Sequence, residues 1–325
     1  MKKWFVAGIV PAIALCLAHG AVAQGSYPER AIKIIVPFAP GGLYDSVTRP
    51  LAEKMRPHIG SVVVENVGGA GSRRGAAQAA KADPDGYTLF MAGNASHVLP
   101  PLAASSLPYD PVKDFVPIAL IGTAGTAIAV HPSHPAKNLS DVIAYAKKNP
   151  EKVDVGNSGV GSLTHLTAEM LRTRADIPKM VHVPYRGGGA SINDLVAGHI
   201  PAAVMMLTSQ VVTLHKSGKI RVVAITTDEK MNAAPDLAIA KETVPGLVSL
   251  NFAGLYAPKG TPPAIIDKVY GAVVKALQDP QLRRIYAAGG FDIPKDNSAA
   301  ALTTFLSEEL ERWRPVVKSS GFKIN

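Results

Sequence analysis

Residues 31–59 read "AIKIIVPFAPGGLYDSVTRPLAEKMRPHI". The first eight, "AIKIIVPF", are apolar and β-branched and predict a strand, while 46–59 carries helical spacing. Between them, Val36-Pro37-Phe38-Ala39-Pro40-Gly41-Gly42-Leu43-Tyr44-Asp45 sets two prolines, two adjacent glycines and an aspartate where a strand hands over to a helix. The pattern then repeats. "SVVVENV" (61–67) predicts a strand and "SRRGAAQAAKA" (72–82) a helix; Asp83-Pro84-Asp85-Gly86 is a turn before the strand "YTLFMAG" (87–93). A β-α-β-α-β order predicts a parallel sheet covered by helices on both faces. Ligands of such sheets lie beyond the carboxyl ends of the strands. That is where the opening loop and Gly93-Asn94-Ala95-Ser96 fall.

A second set follows "DFVPIALIGTAGTAIAVHP" (114–132), which reads as two strands with the chain crossing between lobes near Gly122–Gly125. Helices are expected over 139–150, 162–175 and 189–200, and strands over 152–158, 179–185, 201–207 and 220–226. "SLNFAGLYAP" (249–258) reads as a return crossing, followed by helices over 262–277 and 298–319. The expected fold is therefore α/β: a two-lobed clamshell, each lobe a mainly parallel sheet flanked by helices. Residues 24–123 and 253–325 would form lobe 1 and 124–252 lobe 2, hinged near 120–126 and 249–256.

The first 23 residues place Lys2 and Lys3 before an apolar stretch that ends in Ala21-Val22-Ala23. This is a secretory signal peptide, with cleavage expected between Ala23 and Gln24 and a periplasmic destination. The one cysteine, Cys16, falls inside it, so the mature chain has no disulfide and no thiolate chemistry. Losing Lys2 and Lys3 lowers the net charge from +9 to +7. The remaining basic residues are scattered and only 6% of residues are aromatic, which argues against a nucleic-acid partner.

Enzyme signatures are incomplete. Gly156-Asn157-Ser158-Gly159-Val160 lacks the last glycine of a nucleophile elbow. His131 and His134 have no neighbouring ligands for a metal, and Gly69–Gly75 misses the dinucleotide fingerprint by one residue. No cofactor and no metal are expected. The chain instead carries five small glycine-rich loops at strand ends: Pro40–Gly42, Gly71–Arg73, Gly93–Ser96, Asn157–Ser162 and Tyr185–Gly189. Backbone N–H groups at helix starts, with Ser and Asn side chains beside them, bind carboxylates without a fixed cation. Glycine lets the ligand come close to the backbone.

"YPERAIKIIVPFAPGG", Asp45, "VVVENVGGAG", "KADPDGYTL", "LPYDPVKDFVPIALIG", "GNSGVGSLTHLTAEML", "HVPYRGGGASINDLVAGHI" and "APKGTPPAIIDKV" occur in that order. From Tyr27 to its end the chain resembles the substrate-binding receptors of the tripartite tricarboxylate transporter family, also called Bordetella uptake gene receptors. The resemblance implies a monomeric, non-enzymatic periplasmic binding protein that captures a small carboxylate and offers it to the membrane subunits of a transporter. It also implies that the loop of Phe38, Ala39, Pro40, Gly41, Gly42 and Asp45 grips one carboxylate through backbone amides and ordered water, with Leu43 and Tyr44 standing where this chain departs from many members. The loops bearing Asn94, Ser96, Ser158, Gly159, Ser162, His165, Tyr185, Arg186 and Gly187 would supply the other walls.

Asp45 is expected to cap the helix or orient the loop rather than touch an anion. Where many members carry an acid, this chain has Met205. Met205 and Met206 read either as part of an apolar pocket or as buried strand residues. With Leu43 and Tyr44 they point to an aromatic or aliphatic carboxylate without an amine. Arg73 either reaches a second carboxylate or stays solvated. The competing functions are a secreted α/β hydrolase using Ser158 or Ser162 with His165, and a ligand sensor without a cognate permease.

Overall fold

The computed structural model describes residues 27–38, 40–150, 153–231, 234–321 and 323–324. The leader, Cys16, the cleavage site and Ala39 lie outside these. In the first lobe, β1 (Ile32–Val36) pairs in parallel with β2 (Val62–Asn66) and β3 (Thr88–Ala92). β4 (Phe115–Val130) and β9 (Leu250–Pro258) run antiparallel to each other, and β9 runs antiparallel to β3. In the second lobe, β5 (Asp154–Asn157) pairs in parallel with β6 (Val181–Pro184) and β7 (Ala202–Met206). β7 and β8 (Arg221–Ile225) both lie antiparallel to the far end of β4. The chain is a two-lobed α/β fold whose lobes share the long strand β4.

Residues 114–132 hold one strand of 16 residues, Phe115–Val130, rather than two. Gly122 and Gly125 do not break it. They make room: a Cβ on Gly122 would stand 2.3 Å from the Phe291 ring, and one on Gly125 2.5 Å from the Thr227 methyl. Register shifts between Pro117 and Ala119, and between Leu120 and Gly122, bend the strand instead.

Strand alternation sorts the first-lobe core onto two faces. Ile34, Leu89, Met91 and Leu255 pack with α1 (Leu43–Ile59) and α8 (Pro263–Gln278). Ile35, Phe90 and Phe252 share a cluster with Leu302, Leu306 and Trp313 of α10 (Ala299–Ser320). That cluster continues into the second lobe through Ile128, Val130, Leu166 and Met170. One apolar core thus runs under both lobes with α10 as its spine. Each large side chain fully buried there contributes about 1.5–3 kcal/mol.

His97 lies inside this core, its ring 5.0 Å from Phe115 and 4.6 Å from Tyr256, with Nε2 unpartnered among the described residues. Burial pushes its pKa down to about 3. Below the ordinary histidine value the unfolded chain takes up a proton that the folded chain refuses, so His97 lowers stability as pH falls, by about 1.4 kcal/mol per pH unit. Urea unfolding of His97→Gln should therefore lose about 2 kcal/mol less than wild type between pH 6.5 and pH 5. Equal losses would contradict this.

Candidate ligand cleft

Strand register decides where the loops meet. β9 pairs Leu250 with Gly125 and Pro258 with Phe115, so its start lies at the middle of β4. β3 is antiparallel to β9, with Ala92 opposite Gly254, so the carboxyl ends of β3 and its parallel neighbour β1 point to that same middle. On the other side β7 sets Met206 opposite Thr126 and Ala202 opposite Val130, so β7, β5 and β6 also end there. Strand ends from both lobes face one another across the Gly125–Thr126 junction.

The opening loop is tied from below. Asn66 Nδ2 donates to the Phe38 carbonyl (3.0 Å) and to Asp45 Oδ1 (2.9 Å). Asp45 Oδ2 accepts from the Gly41 N–H (2.9 Å) and from Arg49 Nε (2.9 Å). Burial pushes the Asp45 carboxyl up, but the bonds from Arg49, Gly41 and Asn66 prevail and hold it below its ordinary value. Asp45 orients the loop from inside the fold. Gly41 has φ +83°, a conformation that favours glycine. Pro40, Gly41 and Gly42 are exposed, and α1 starts at Gly42 without a side-chain cap. Phe38 is half-buried and stacks on Tyr44 with centroids 5.1 Å apart and planes 7° apart. Leu43 is half-buried beside them.

Asn94 and Ser96 turn away from this space. Asn94 Nδ2 donates to Glu309 Oε2 (3.2 Å), its Oδ1 accepts from the Phe252 N–H (3.2 Å), and Ser96 Oγ bonds the Gly93 backbone. Both side chains are buried; Asn94 holds the loop to β9 and α10, and Ser96 closes the loop on itself. Arg73 opens α2 (Arg73–Ala80) and bends its Nε back to the Ala70 carbonyl (2.9 Å).

In the second lobe, Ser162 caps α5 (Leu163–Arg174), its Oγ accepting from the His165 N–H at 3.2 Å. The Ser158 N–H donates to Thr164 Oγ1 and the Gly159 N–H to Asn157 Oδ1. The His165 ring lies edge-on to His182 at 4.9 Å, with Nδ1 accepting from the Gly161 N–H (3.3 Å); burial, then His182, pushes its pKa down. Ser162 thus meets the His165 backbone, not its imidazole. Tyr185 packs on the second-lobe core and donates to Asp194 (2.7 Å), lying along α6 (Gly188–Ala197). Arg186 is exposed, and α6 starts at Gly187, φ +148°, with no side-chain cap.

Met205 is 1% exposed and belongs to the second-lobe core with Leu195 and Val211, which removes it from the cleft. The next residue, Met206, is half-buried and packs on the first-lobe core, as do Phe38 and Leu43. Period-two alternation along "AAVMM" separates the two methionines. Asn66, and Asn251, which accepts from the Tyr44 hydroxyl, are positions that sequence reasoning left out.

The sequence profile of the tripartite tricarboxylate transporter family receptor matches residues 47–322. The chain belongs to this receptor family. Among similar solved structures is the periplasmic binding protein BugD, 31% identical over 91% of this chain and 99% of its own, with TM-score 0.75. MatC from Rhodopseudomonas palustris, solved with bound malate, is 29% identical over 90% of this chain and 100% of its own, with TM-score 0.75. Another R. palustris protein, solved with adipate, is 28% identical over 91% and 99%, with TM-score 0.78. The family's members are periplasmic solute-binding receptors and not enzymes, and this chain is a receptor of that kind.

If Asp45 ties the loop as described, Asp45→Ala should lower unfolding free energy by about 1–3 kcal/mol in urea titration, because Gly41, Asn66 and Arg49 all lose a partner. A change below about 0.5 kcal/mol would contradict the assignment.

Proposed function

We propose that this receptor captures a small carboxylate lacking an amine between its lobes and delivers it to the membrane subunits of a transporter. The observation that carries the reading is the convergence of strand ends from both lobes on loops without an acidic side chain. Pro37–Gly42, Gly93–Ser96, Asn157–Ser162, Tyr185–Gly189 and Met206–Thr208 contain no Asp or Glu, and one arginine, Arg186. The uncapped first turns of α1 and α6 add the positive ends of two helix dipoles. An anion is stabilised in such a space. An ammonium group, buried there without a counter-charge, costs several kcal/mol.

Phe38, Leu43 and Met206 give the space an apolar side, which suits an aromatic or aliphatic carbon frame. Relatives solved with malate and with adipate support a carboxylate as the ligand class. A ligand touching both lobes favours the closed form by its contacts to each, with the crossings at 120–126 and 249–256 taking up the motion. The first lobe grips through loop 38–42, Ala39 included; the second through the α5 and α6 starts at Ser158–Ser162 and Arg186–Gly187. The receptor works as a monomer.

Thermal unfolding of protein refolded from urea, which strips any resident ligand, tests this. The panel is succinate, citrate, nicotinate, benzoate, terephthalate, protocatechuate and glutamate. A ligand at about 100 times its dissociation constant adds roughly 2.7 kcal/mol, a rise of several degrees. At least one amine-free acid should produce it and glutamate should not. A rise with glutamate overturns the amine-free assignment; no rise with any acid overturns the carboxylate reading.

A further inference from the structure

Tyr44 stands at the cleft end of the first-lobe sheet, between the last residues of β3 and the first of β9. Its hydroxyl donates to Asn251 Oδ1 (2.8 Å) and accepts from the Asn94 backbone N–H. A Cβ on residue 93 would lie 1.8 Å from the Tyr44 oxygen and 2.4 Å from Cζ. Gly93 itself is extended, with φ −169°, so glycine serves here for space and not for backbone conformation. Tyr44 is 7% exposed, as is Asn251, and the outer cover of the phenol is the stacked ring of Phe38.

The phenol therefore fills a place with the attributes of a ligand subsite. A backbone N–H at a strand end and a side-chain amide converge on one oxygen, and the glycine beneath removes the Cβ that would block it. Here that oxygen belongs to the protein. We propose that Tyr44 is a specificity-determining residue: its phenol occupies a subsite at the first-lobe end of the cleft and thereby limits the length of the acid the receptor accepts. This rests on the carboxylate reading above. With the phenol gone, the Asn94 N–H becomes free to hold the far oxygen of a longer acid, and the Asn251 amide, whose Oδ1 faces the phenol, can turn its Nδ2 to that oxygen. Leaving such groups unpaired is costly, so a ligand that reaches them is favoured over one that stops short.

The test is calorimetric titration of the full-length mature receptor with succinate and with adipate, diacids of four and six carbons. Wild type should bind succinate more tightly. Tyr44→Leu keeps apolar contact with the core but vacates the outer half of the phenol, and should raise adipate affinity relative to succinate at least tenfold. Tyr44→Phe keeps the ring in place and should leave that ratio within twofold of wild type. A residue that only supported the fold would lower the melting temperature in all variants without moving the ratio. If Tyr44→Leu does not unfold cooperatively, Tyr44→Met gives the same readout with an unbranched side chain. A ratio within twofold of wild type in the folded Leu or Met variant overturns the proposal, as does tighter binding of adipate by wild type. Binding of succinate with an unmoved ratio sinks the proposal and spares the carboxylate reading. If no form binds either acid, the proposal falls, and the carboxylate reading is decided by the full panel above.

Discussion

The antiparallel ladder between β4 and β9 is the constraint on which the rest of the structure depends. Because β4 runs unbroken from one lobe into the other, strands on its two halves inherit opposite polarities. The carboxyl ends of β1 and β3 come up to the junction from one side, and those of β5, β6 and β7 from the other. Helices α1, α5 and α6 follow β1, β5 and β6, so their amino ends are carried to the same place. A cleft bordered by helix amino ends from both lobes follows from topology before any side chain is considered.

Buried polar contacts then tie the loop after β3 to the strand and helix beneath it. Glu309 on α10 accepts from Asn94 Nδ2 and Trp313 Nε1 and pairs with Arg312, which also faces Asp228 beyond β8. Burial pushes the Glu309 carboxyl above its ordinary value despite these partners. Asn94 also receives the Phe252 N–H of β9, and Tyr44 receives the Asn94 N–H. Loop, return strand and spine helix are thus one connected network. In a low-dielectric interior such a network is costly to satisfy in part, so its members keep one arrangement together.

Elements with a clear hydrophobic period were legible in the sequence: β1, α1, β2, α2 and β3 need only neighbours a few residues apart. The crossing was harder. Gly122 and Gly125 look like breaks, but their meaning lies in Phe291 and Thr227, which sit against them from distant parts of the chain. Asn94 looked like a cleft residue because it ends a strand in a glycine loop. Its partners, Glu309 and Phe252, are 215 and 158 residues away, and no local pattern announces them. Met205 and Met206 were separable by strand alternation, whereas the choice between core and cleft faces required the packing of α6 and α7 (Ser209–Lys216). The role of Asp45 was legible in kind, since an acid in the first turn of a helix bonds backbone N–H groups.

The central claim is that backbone amides from both lobes grip one anion. Hydrogen–deuterium exchange of the receptor, with and without a saturating acid from the panel, measures it most directly. The account predicts slowed exchange at the first turns of both α1 (Gly42–Asp45) and α6 (Gly188–Ser191), rising together as the acid is added. Slowing confined to one lobe, or absent from both turns while the acid is bound, would contradict it.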